Sequence, residues 1–422
     1  MPLHLLFTLL RGDPSRNPPW VLPYFLCEIS LSEDRLICDI ETYLDHLAAC
    51  VGDTMIGVLG LEDGTRVEGC GFGAPGTVSG ELVFTTIMSG YEEALTDPSY
   101  HGQFLMFTYP LIGNYGVSGE DFQSDHMWPG AMVCREVWEY PTHHRSTRKI
   151  AKFLEDEGKP GLCGVDTRML TTKVRNYGCM KATIAVGEAK DLKDIDVVEE
   201  ARTHPSISAQ DLLMDVTCKK PYRIPGKGSR IAMIDMGIKR NILHSLSIRG
   251  FDIHVLPANA SLSQIEATEP NALFLSNGPG DPECATNAIA AVKHFAGTVP
   301  VFGICLGHQI TSLAMGARTF KLKFGHHGGN QPVKDLAKGI VYITSQNHNF
   351  AVVPGSEEGT GLEITQINAN DNTIEGVKSD SLDILAVQYH PEAHPGPLCT
   401  EDPFFSQVNK MLNKAKVPAC SR

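Results

Sequence analysis

The C-terminal half of the chain alternates between short apolar runs and amphipathic segments. The apolar runs at residues 230–237, 251–258 and 272–282 are each followed by a segment with helical spacing, and the run at 299–304 precedes another. A strand followed by a helix, repeated, indicates a parallel sheet with helices on both faces. Sites in such sheets form at the carboxyl ends of the strands. We therefore predict an α/β fold with a doubly wound, mostly parallel sheet over residues 230–415.

The pattern over residues 55–217 is different, because short strand-like runs are mixed with helical ones. An Asp-Gly pair at residues 63–64 separates two apolar runs and predicts a hairpin. Further along, Asp166 or Thr167 is placed to cap a helix that Gly178 would end. This part of the chain is predicted to be a separate N-terminal domain of mixed β/α structure.

Two segments lack the pattern of a folded domain. Residues 218–229 combine basic residues with prolines and glycines and no acidic residue, which predicts a linker. Residues 1–54 are rich in proline at their start and show no sustained period, which predicts a disordered extension or a mis-assigned start. The apolar run at residues 3–10 has neither a basic segment before it nor a small-residue cleavage site after it, so a signal peptide is not expected.

Composition excludes several classes of protein. The chain is 42% hydrophobic and 20% charged, as is ordinary for a globular protein. Its formal net charge of -13 argues against nucleic acid or an anionic membrane as the main partner, and no apolar run approaches the roughly 18 residues that would span a bilayer. The 12 cysteines are scattered without a CxxC pair, which is typical of reduced thiols. We expect a soluble, cytoplasmic protein that binds a small molecule or another protein.

The sequence "GICLG" at residues 303–307 places a cysteine between two glycines where a predicted strand gives way to a helix. A sharp strand-to-helix turn strains the residue at its apex and requires small neighbours. It also presents the apex side chain beside a helix N-terminus, whose dipole favours a thiolate over a thiol of ordinary pKa ~8.5. We interpret Cys305 as a nucleophile; the alternative is a cysteine buried in the core of a strand.

A cysteine nucleophile needs a base, a residue that orients the base, and donors for the oxyanion. His390 follows a strand-like run, and Pro391 biases it toward an extended conformation, in which Glu392 would point to the same side. A lone His-x-Glu is more often a surface pair or half of a metal site. Backbone N–H groups from residues 276–282 and from Leu306 could serve as oxyanion donors.

Five motifs of the C-terminal half, in this order and spacing, resemble those of class I (triad) glutamine amidotransferases: "SNGPGDP", "VFGICLGHQ", "FGHHGGNQPV", "TSQNHNFAV" and "QYHPE". Four earlier motifs are similar to the N-terminal domain of the glutamine-hydrolysing small subunits of carbamoyl-phosphate synthetases: "LEDGTRVEG", "MSGYEEALTDPSY", "TYPLIGNYG" and "GVDTRMLTTKVR". The resemblance runs from about residue 55 to about residue 412, and residues 1–54 have no counterpart. It implies a class I glutaminase fold for residues 230–415.

The resemblance also implies a site. Cys305 would attack the side-chain amide carbon of L-glutamine, His390 would transfer protons, and Glu392 would orient His390. The residues that match glutamine-binding positions of the family, including two that would offer oxyanion N–H groups, are Ser99, Gly278, Gly280, Leu306, Gln309, Asn347, Asn349 and Phe350. Asn349 departs from the glycine that is usual in the family, and since asparagine tolerates positive φ best among the other residues, we expect weaker or slower glutamine use at worst.

No metal or cofactor is expected in this chain. The adjacent His326 and His327 lie in a glycine-rich stretch, where neighbouring side chains diverge, and no third ligand is evident in the sequence. Because no GxxxxGK[ST] phosphate loop is present, ATP and Mg²⁺ are expected on a partner chain. In the family that partner is the synthetase large subunit, in a heterodimer or a higher oligomer, which makes carbamoyl phosphate for pyrimidine and arginine biosynthesis.

Three other functions compete with this one. An amidotransferase for another acceptor, as in anthranilate or guanylate synthesis, is disfavoured by "SNGPGDP" and by the N-terminal domain. A catalytically silent subunit that regulates an ammonia-using synthetase would be indicated by loss of the cysteine, but Cys305 is present. A stand-alone cysteine hydrolase would need neither "TSQNHNF" nor the additional domain.

Overall fold

The computed structural model describes residues 55–414, so the expectation for residues 1–54 lies outside the described residues. The strands are β1 (Ile56–Leu61), β2 (Arg66–Gly73), β3 (Gly76–Thr85), β4 (Gln103–Phe107), β5 (Leu111–Ile112), β6 (Ala131–Val133), β7 (Glu136–Val137), β8 (Pro160–Cys163), β9 (Met180–Gly187), β10 (Tyr222–Ile224), β11 (Arg230–Asp235), β12 (Asp252–Pro257), β13 (Ala272–Leu275), β14 (Val301–Ile304), β15 (Thr319–Asp335), β16 (Val341–Val352), β17 (Glu363–Asn368), β18 (Ile374–Ser379) and β19 (Ile384–Val387). The α-helices are α1 (Tyr91–Leu95), α2 (Ile150–Asp156), α3 (Thr167–Tyr177), α4 (Val197–Thr203), α5 (Leu213–Val216), α6 (Arg240–Ile248), α7 (Leu262–Glu266), α8 (Thr286–Phe295), α9 (Leu306–Ala314) and α10 (Glu401–Lys414).

Seven strands of the N-terminal part close into a barrel in the order β1-β2-β8-β6-β4-β3-β9. Its core is apolar, with Leu59, Phe104, Leu162 and Ile184 fully buried. The predicted hairpin is confirmed, since β1 and β2 pair antiparallel around Gly64 at a φ of 98°. The three contiguous pairs β3-β4, β4-β6 and β6-β8 run parallel, and the other four pairs of the barrel are antiparallel.

The helix predicted to begin at residue 166 or 167 is present as α3. The Asp166 side chain accepts a hydrogen bond from the Met169 N–H, and Gly178 follows the last turn at a φ of 107°. Both ends of this helix are therefore set by the local sequence, as expected for a side-chain N-cap and a C-terminal glycine.

The C-terminal part contains a ten-stranded sheet in the order β10-β12-β11-β13-β14-β19-β18-β17-β15-β16. The five strands from β12 to β19 in this order run parallel, and every other neighbouring pair is antiparallel. The prediction of a mostly parallel sheet is therefore wrong. Strand-helix alternation stops at α9, and the strands after it are joined without helices, so consecutive strands such as β15 and β16 or β17 and β18 pair antiparallel. Among these strands, β19 also pairs parallel with β14.

Helices cover both faces of the parallel strands. One face packs against α7, α8 and α9 through residues such as Ile265, Ala291 and Ile310. The other face packs against α6 and α10 through Ile242 and Phe405. The doubly wound α/β arrangement is thus present, and it leaves the carboxyl ends of the parallel strands free to carry a site.

The predicted linker does not lack structure. Tyr222–Ile224, within residues 218–229, forms the edge strand β10 and pairs antiparallel with β12. The lysines, prolines and glycines around it gave no period from which a strand could be predicted. The limits proposed for the two domains stay a prediction. Among residues 55–414, no helix is both long enough and apolar enough to cross a membrane.

Candidate active site

Four polar side chains lie within a few residues after the carboxyl ends of neighbouring parallel strands. Lys239 follows β11, Asn277 follows β13, Cys305 follows β14 and His390 follows β19. These strands are adjacent in the sheet in the order β11-β13-β14-β19. The candidate site therefore lies at the edge of the sheet where α/β folds place their ligands.

Cys305 occupies the apex of a strained turn between β14 and α9. Its φ of 55° and ψ of -105° lie in a region that residues other than glycine rarely adopt. A Cβ on Gly303 would lie 2.6 Å from the Gly307 carbonyl carbon, and one on Gly307 would lie 2.4 Å from the Leu275 oxygen. The predicted elbow is confirmed, because both glycines are required for the backbone to approach this closely.

The Cys305 thiol is buried, with 1% of the residue exposed, and its sulfur lies 3.6 Å from the Asn347 carbonyl oxygen. Burial raises the pKa of this thiol, and the Asp97 carboxylate adds to the effect, while the Leu306 N–H acts in the opposite direction. The Leu306 N–H thus favours the thiolate, as expected of a helix terminus, but desolvation outweighs it. A base would have to remove the thiol proton for the sulfur to act as a nucleophile.

His390 and Glu392 form the predicted pair, although in a different conformation. Nδ1 of His390 lies 2.6 Å from Oε1 of Glu392. The contact is made across a turn that is closed by a hydrogen bond from the Ala393 N–H to the His390 carbonyl, and not along an extended segment. Among the residues that the structure describes, buried Nε2 of His390 has no hydrogen-bond partner, so this nitrogen is available to a thiol or a substrate.

A buried lysine that sequence analysis missed completes this pair. Nζ of Lys239 lies 3.1 Å from Oε1 of Glu392, and both side chains are essentially unexposed. Burial alone would raise the pKa of Glu392, but the charge of Lys239 and the contact with His390 outweigh it and lower the pKa to about 2. Glu392 is therefore ionised, and its charge is fixed beside Nδ1 of His390. The position of Lys239 just after an apolar strand and a glycine was the available signal in the sequence.

A small cavity opens beside the Cys305 sulfur. Of the residues predicted to bind glutamine, all except Leu306 line it. The complete lining is Ser99, Gln103, Gly278, Pro279, Gly280, Cys305, Gln309, Asn347, His348, Asn349 and Phe350. His390 instead lines a second small cavity, and Asn347 contributes to both cavities.

Contacts between the barrel and the sheet hold Ser99 at the cavity. Asp97 accepts a hydrogen bond from the Ser99 N–H, at 2.9 Å, and another from the Asn347 side-chain amide, at 2.9 Å. The Asn277 amide donates to the Ser99 hydroxyl at 2.9 Å. Neither Asp97 nor Asn277 was singled out in the sequence, because their contacts join residues about 180 to 250 positions apart.

The argument that Asn349 relies on a tolerance for positive φ is wrong. Asn349 lies within β16, and it is not among the residues with positive φ. Its side chain contacts His327, with 2.9 Å between Oδ1 and Nε2. The asparagine therefore fits an ordinary strand without backbone strain.

A cluster of potential metal ligands lies behind the cavity. Ligand-type atoms of His326, His348 and Glu375 lie within 4.8 Å of one another. However, Nε2 of His326 pairs with Asp371 at 2.8 Å, while the Gln346 amide contacts Nε2 of His348 at 3.1 Å and Glu375 at 3.0 Å. Because neighbouring side chains already satisfy these atoms, we interpret the cluster as a buried network of charges and hydrogen bonds.

This network predicts a loss of stability in alkaline solution. Burial alone would lower the pKa of His326, but Asp371 and Glu375 outweigh it and raise the pKa to about 9. Because the unfolded value is 6.5, the stabilisation is complete below pH 6.5 and is lost as the pH rises through 9. We expect the advantage of the wild type over His326→Gln in thermal midpoint to shrink by about 4 °C across this range. The thermal midpoints would be measured by differential scanning fluorimetry. If the midpoints of the wild type and of His326→Gln change in parallel with pH, the stabilisation of protonated His326 by Asp371 and Glu375 is contradicted.

Comparisons with known proteins agree with this geometry. The family described as "Carbamoyl-phosphate synthase small chain, CPSase domain" matches residues 59–184, and "Glutamine amidotransferase class-I" matches residues 232–409. The carbamoyl phosphate synthase small chains of Methanosarcina mazei and Methanosarcina acetivorans are 58% identical to this chain over 367 residues, covering 85% of it and 99% of each relative. The small chain of Archaeoglobus fulgidus is 48% identical over 361 residues, covering 85% of this chain and 99% of its own length. This chain therefore belongs to the carbamoyl phosphate synthase small chain family and carries a class I glutamine amidotransferase domain.

Proposed function

We propose that this chain hydrolyses glutamine through a thioester on Cys305 and delivers the ammonia to a synthase large chain. The observation that carries the proposal is the strained Cys305 elbow beside a cavity lined by residues that match glutamine-binding positions of the family. The overall reaction is inferred from membership of the small chain family, and the mechanism is inferred from the residues at the site.

The reaction begins with the thiol of Cys305. Nε2 of His390 takes the thiol proton, and the sulfur attacks the amide carbon of the glutamine side chain. The C–N bond then breaks, the departing nitrogen receives a proton from His390, and a γ-glutamyl thioester remains on Cys305. Water, deprotonated by His390, hydrolyses the thioester to glutamate and restores the thiol.

The cation that forms on His390 is stabilised by charge that is already in place. Glu392 contacts Nδ1 of His390 at 2.6 Å and is itself held by Lys239 at 3.1 Å. Because all three groups are buried, their interaction is screened little by solvent. Glu392 therefore acts by orienting His390 and by stabilising its imidazolium form.

Backbone donors would stabilise the oxyanion of each tetrahedral intermediate. The N–H of Leu306 faces the Cys305 sulfur from the first turn of α9. Gly278 lines the same cavity as Cys305, and a Cβ at this position would lie 2.9 Å from Cδ2 of Leu306. Loss of one such donor typically costs about 10² to 10³ in rate.

The glutamine would be held by both parts of the chain. Ser99 approaches from the barrel, whereas Gly280, Gln309, Asn347, Asn349 and Phe350 belong to the sheet side of the cavity. Gln309 is itself fixed, because its amide donates to the Phe350 carbonyl at 2.7 Å. Substrate binding therefore depends on the packing of the barrel against the sheet.

The ammonia must be used by another chain. The proposed partner is the synthase large chain, which would bind ATP and Mg²⁺, in a heterodimer or a higher oligomer. The carbamoyl phosphate formed would serve pyrimidine and arginine biosynthesis in the cytoplasm.

The test compares nitrogen sources in a complex with a large chain of the same family. We expect glutamate release by this chain to rise when the large chain is added, and glutamine as well as ammonium chloride to support carbamoyl phosphate synthesis. Synthesis from ammonium chloride alone, by a well-folded complex, would indicate a silent regulatory subunit. Glutamate release that never yields carbamoyl phosphate would indicate another acceptor.

A further inference from the structure

His327 is a buried histidine that the proposed mechanism does not use. It lies on β15, directly opposite Asn347 on β16. Its Nδ1 is 2.9 Å from the side-chain oxygen of Asn347, and its Nε2 is 2.9 Å from that of Asn349. Both asparagines lie on β16 and line the cavity beside Cys305. His327, which is not part of that lining, therefore connects two cavity residues of β16.

The space for this contact depends on a glycine. A Cβ on Gly325 would lie 2.3 Å from Nε2 of His327 and 2.6 Å from Oδ1 of Asn349. Gly325 also has a φ of 70°, which favours glycine. The backbone of β15 is therefore shaped so that the side chains of His327 and Asn349 can meet.

The protonation of His327 limits how the two amides can be arranged. Burial lowers the pKa of His327 to about 4, so the ring is neutral near pH 7. A neutral imidazole has one N–H and one lone pair. The two asparagines therefore cannot both present an oxygen to it, and one of them must present its NH₂ group. Which end of an amide faces a neighbour is decided by the rest of the network.

Asp97 decides the arrangement. The NH₂ group of Asn347 donates to the Asp97 carboxylate at 2.9 Å. The oxygen of Asn347 must therefore face Nδ1 of His327, so the ring proton lies on Nδ1. Nε2 of His327 then carries no proton and can only accept a hydrogen bond. At this position the NH₂ group of Asn349 is the group that can donate one.

We propose that Asn349 donates its amide NH₂ to Nε2 of His327 and so completes a chain of contacts, Asp97-Asn347-His327-Asn349, that positions β16 for glutamine binding. His327 and Asn349 are positioning residues, and this role rests on the proposed glutaminase function. A glycine at position 349 would leave Nε2 without this donor. Asparagine at this position therefore adds a hydrogen bond that helps to hold β16 in place.

An isosteric substitution tests whether Asn349 donates or accepts the hydrogen bond to Nε2 of His327. Asn349→Asp keeps the shape and removes the NH₂ group, so a carboxylate faces the lone pair of Nε2. We expect the KM for glutamine to rise about tenfold, with kcat changed less than about threefold. An unchanged KM would overturn the proposal, because an acceptor at this position can be replaced by aspartate without loss.

The matched control is Asn330→Asp. Asn330 lies on the same strand as His327 but is exposed, and its side-chain oxygen accepts a hydrogen bond from Thr86 at 2.8 Å. Aspartate can accept the same bond, so KM should stay at the wild-type value. A rise equal to that of Asn349→Asp would show a general effect of added charge and would overturn the proposal.

A spectroscopic test needs neither turnover nor a folded Asp variant. In 15N-histidine-labelled protein, the ring shifts of His327 should report a proton on Nδ1 and none on Nε2, and Asn349→Gly should move the Nε2 signal. A proton on Nε2 would overturn the proposal. If the wild type releases no glutamate, the glutaminase assignment fails, while the ring shifts still decide the hydrogen-bond arrangement.

Discussion

Cys305→Ala is expected to lower glutamine hydrolysis by about 10⁴-fold or more while leaving the fold unchanged. The substitution removes the sulfur that would form the thioester, and nucleophile removal in enzymes of this type leaves only the catalysis supplied by binding and oxyanion donors. The thiol makes one hydrogen bond, to the Asn347 carbonyl, and alanine keeps the Cβ of the strained turn. The measurement is the initial rate of glutamate release, with the thermal midpoint recorded alongside.

The matched control for this variant is Cys284→Ala. Cys284 is an exposed free cysteine that does not line the cavity beside Cys305. Its replacement should leave the rate of glutamate release at the wild-type value. A Cys305→Ala protein that keeps more than about a tenth of the wild-type rate would contradict the assignment of the nucleophile.

Lys239→Met should lower both stability and activity. The substitution leaves the Glu392 charge buried without its partner, which typically costs about 3–5 kcal/mol. Lys239 also contributes most to the low pKa of Glu392 among the groups that act against burial, so its loss raises that pKa and weakens the support of His390. We expect glutamate release to fall by about 10²-fold or more.

A double substitution separates these two effects. Lys239→Met combined with Glu392→Gln removes both charges, so the thermal midpoint should recover relative to Lys239→Met alone, while glutamate release stays low. Lys190→Met is the control, because Lys190 and Glu188 form an exposed pair and the change should leave the thermal midpoint close to the wild-type value. A double variant no more stable than Lys239→Met would show that the two buried charges are not coupled.

The parts of the site that could be predicted from the sequence depend on short-range geometry. The elbow at Cys305 follows from the need for glycines at positions 303 and 307. The contact of His390 with Glu392 joins residues two positions apart, although a turn and not the predicted extended segment brings them together. The strand-helix alternation likewise predicted the parallel strands and the helices on both faces. In each case the determining residues are neighbours in the chain.

The parts that could not be predicted depend on tertiary contacts. Lys239 gains its role only because β11 and β19 bring it to Glu392, and Asp97 meets Asn347 only when the barrel packs against the sheet. The effect of burial on the pKa of the Cys305 thiol could not be predicted, because the extent of burial is not visible in a motif. The antiparallel strands after α9 were missed because their apolar runs carry no sign of direction.

The central claim is that Cys305 forms a γ-glutamyl thioester, and trapping this intermediate tests it most directly. The chain, in complex with its large chain, would be mixed with glutamine, quenched in acid during turnover, digested and examined by mass spectrometry. The account predicts a γ-glutamyl adduct on the peptide that contains Cys305, absent from Cys305→Ala. Steady glutamate release without an adduct on Cys305, or with an adduct on another cysteine, would contradict it.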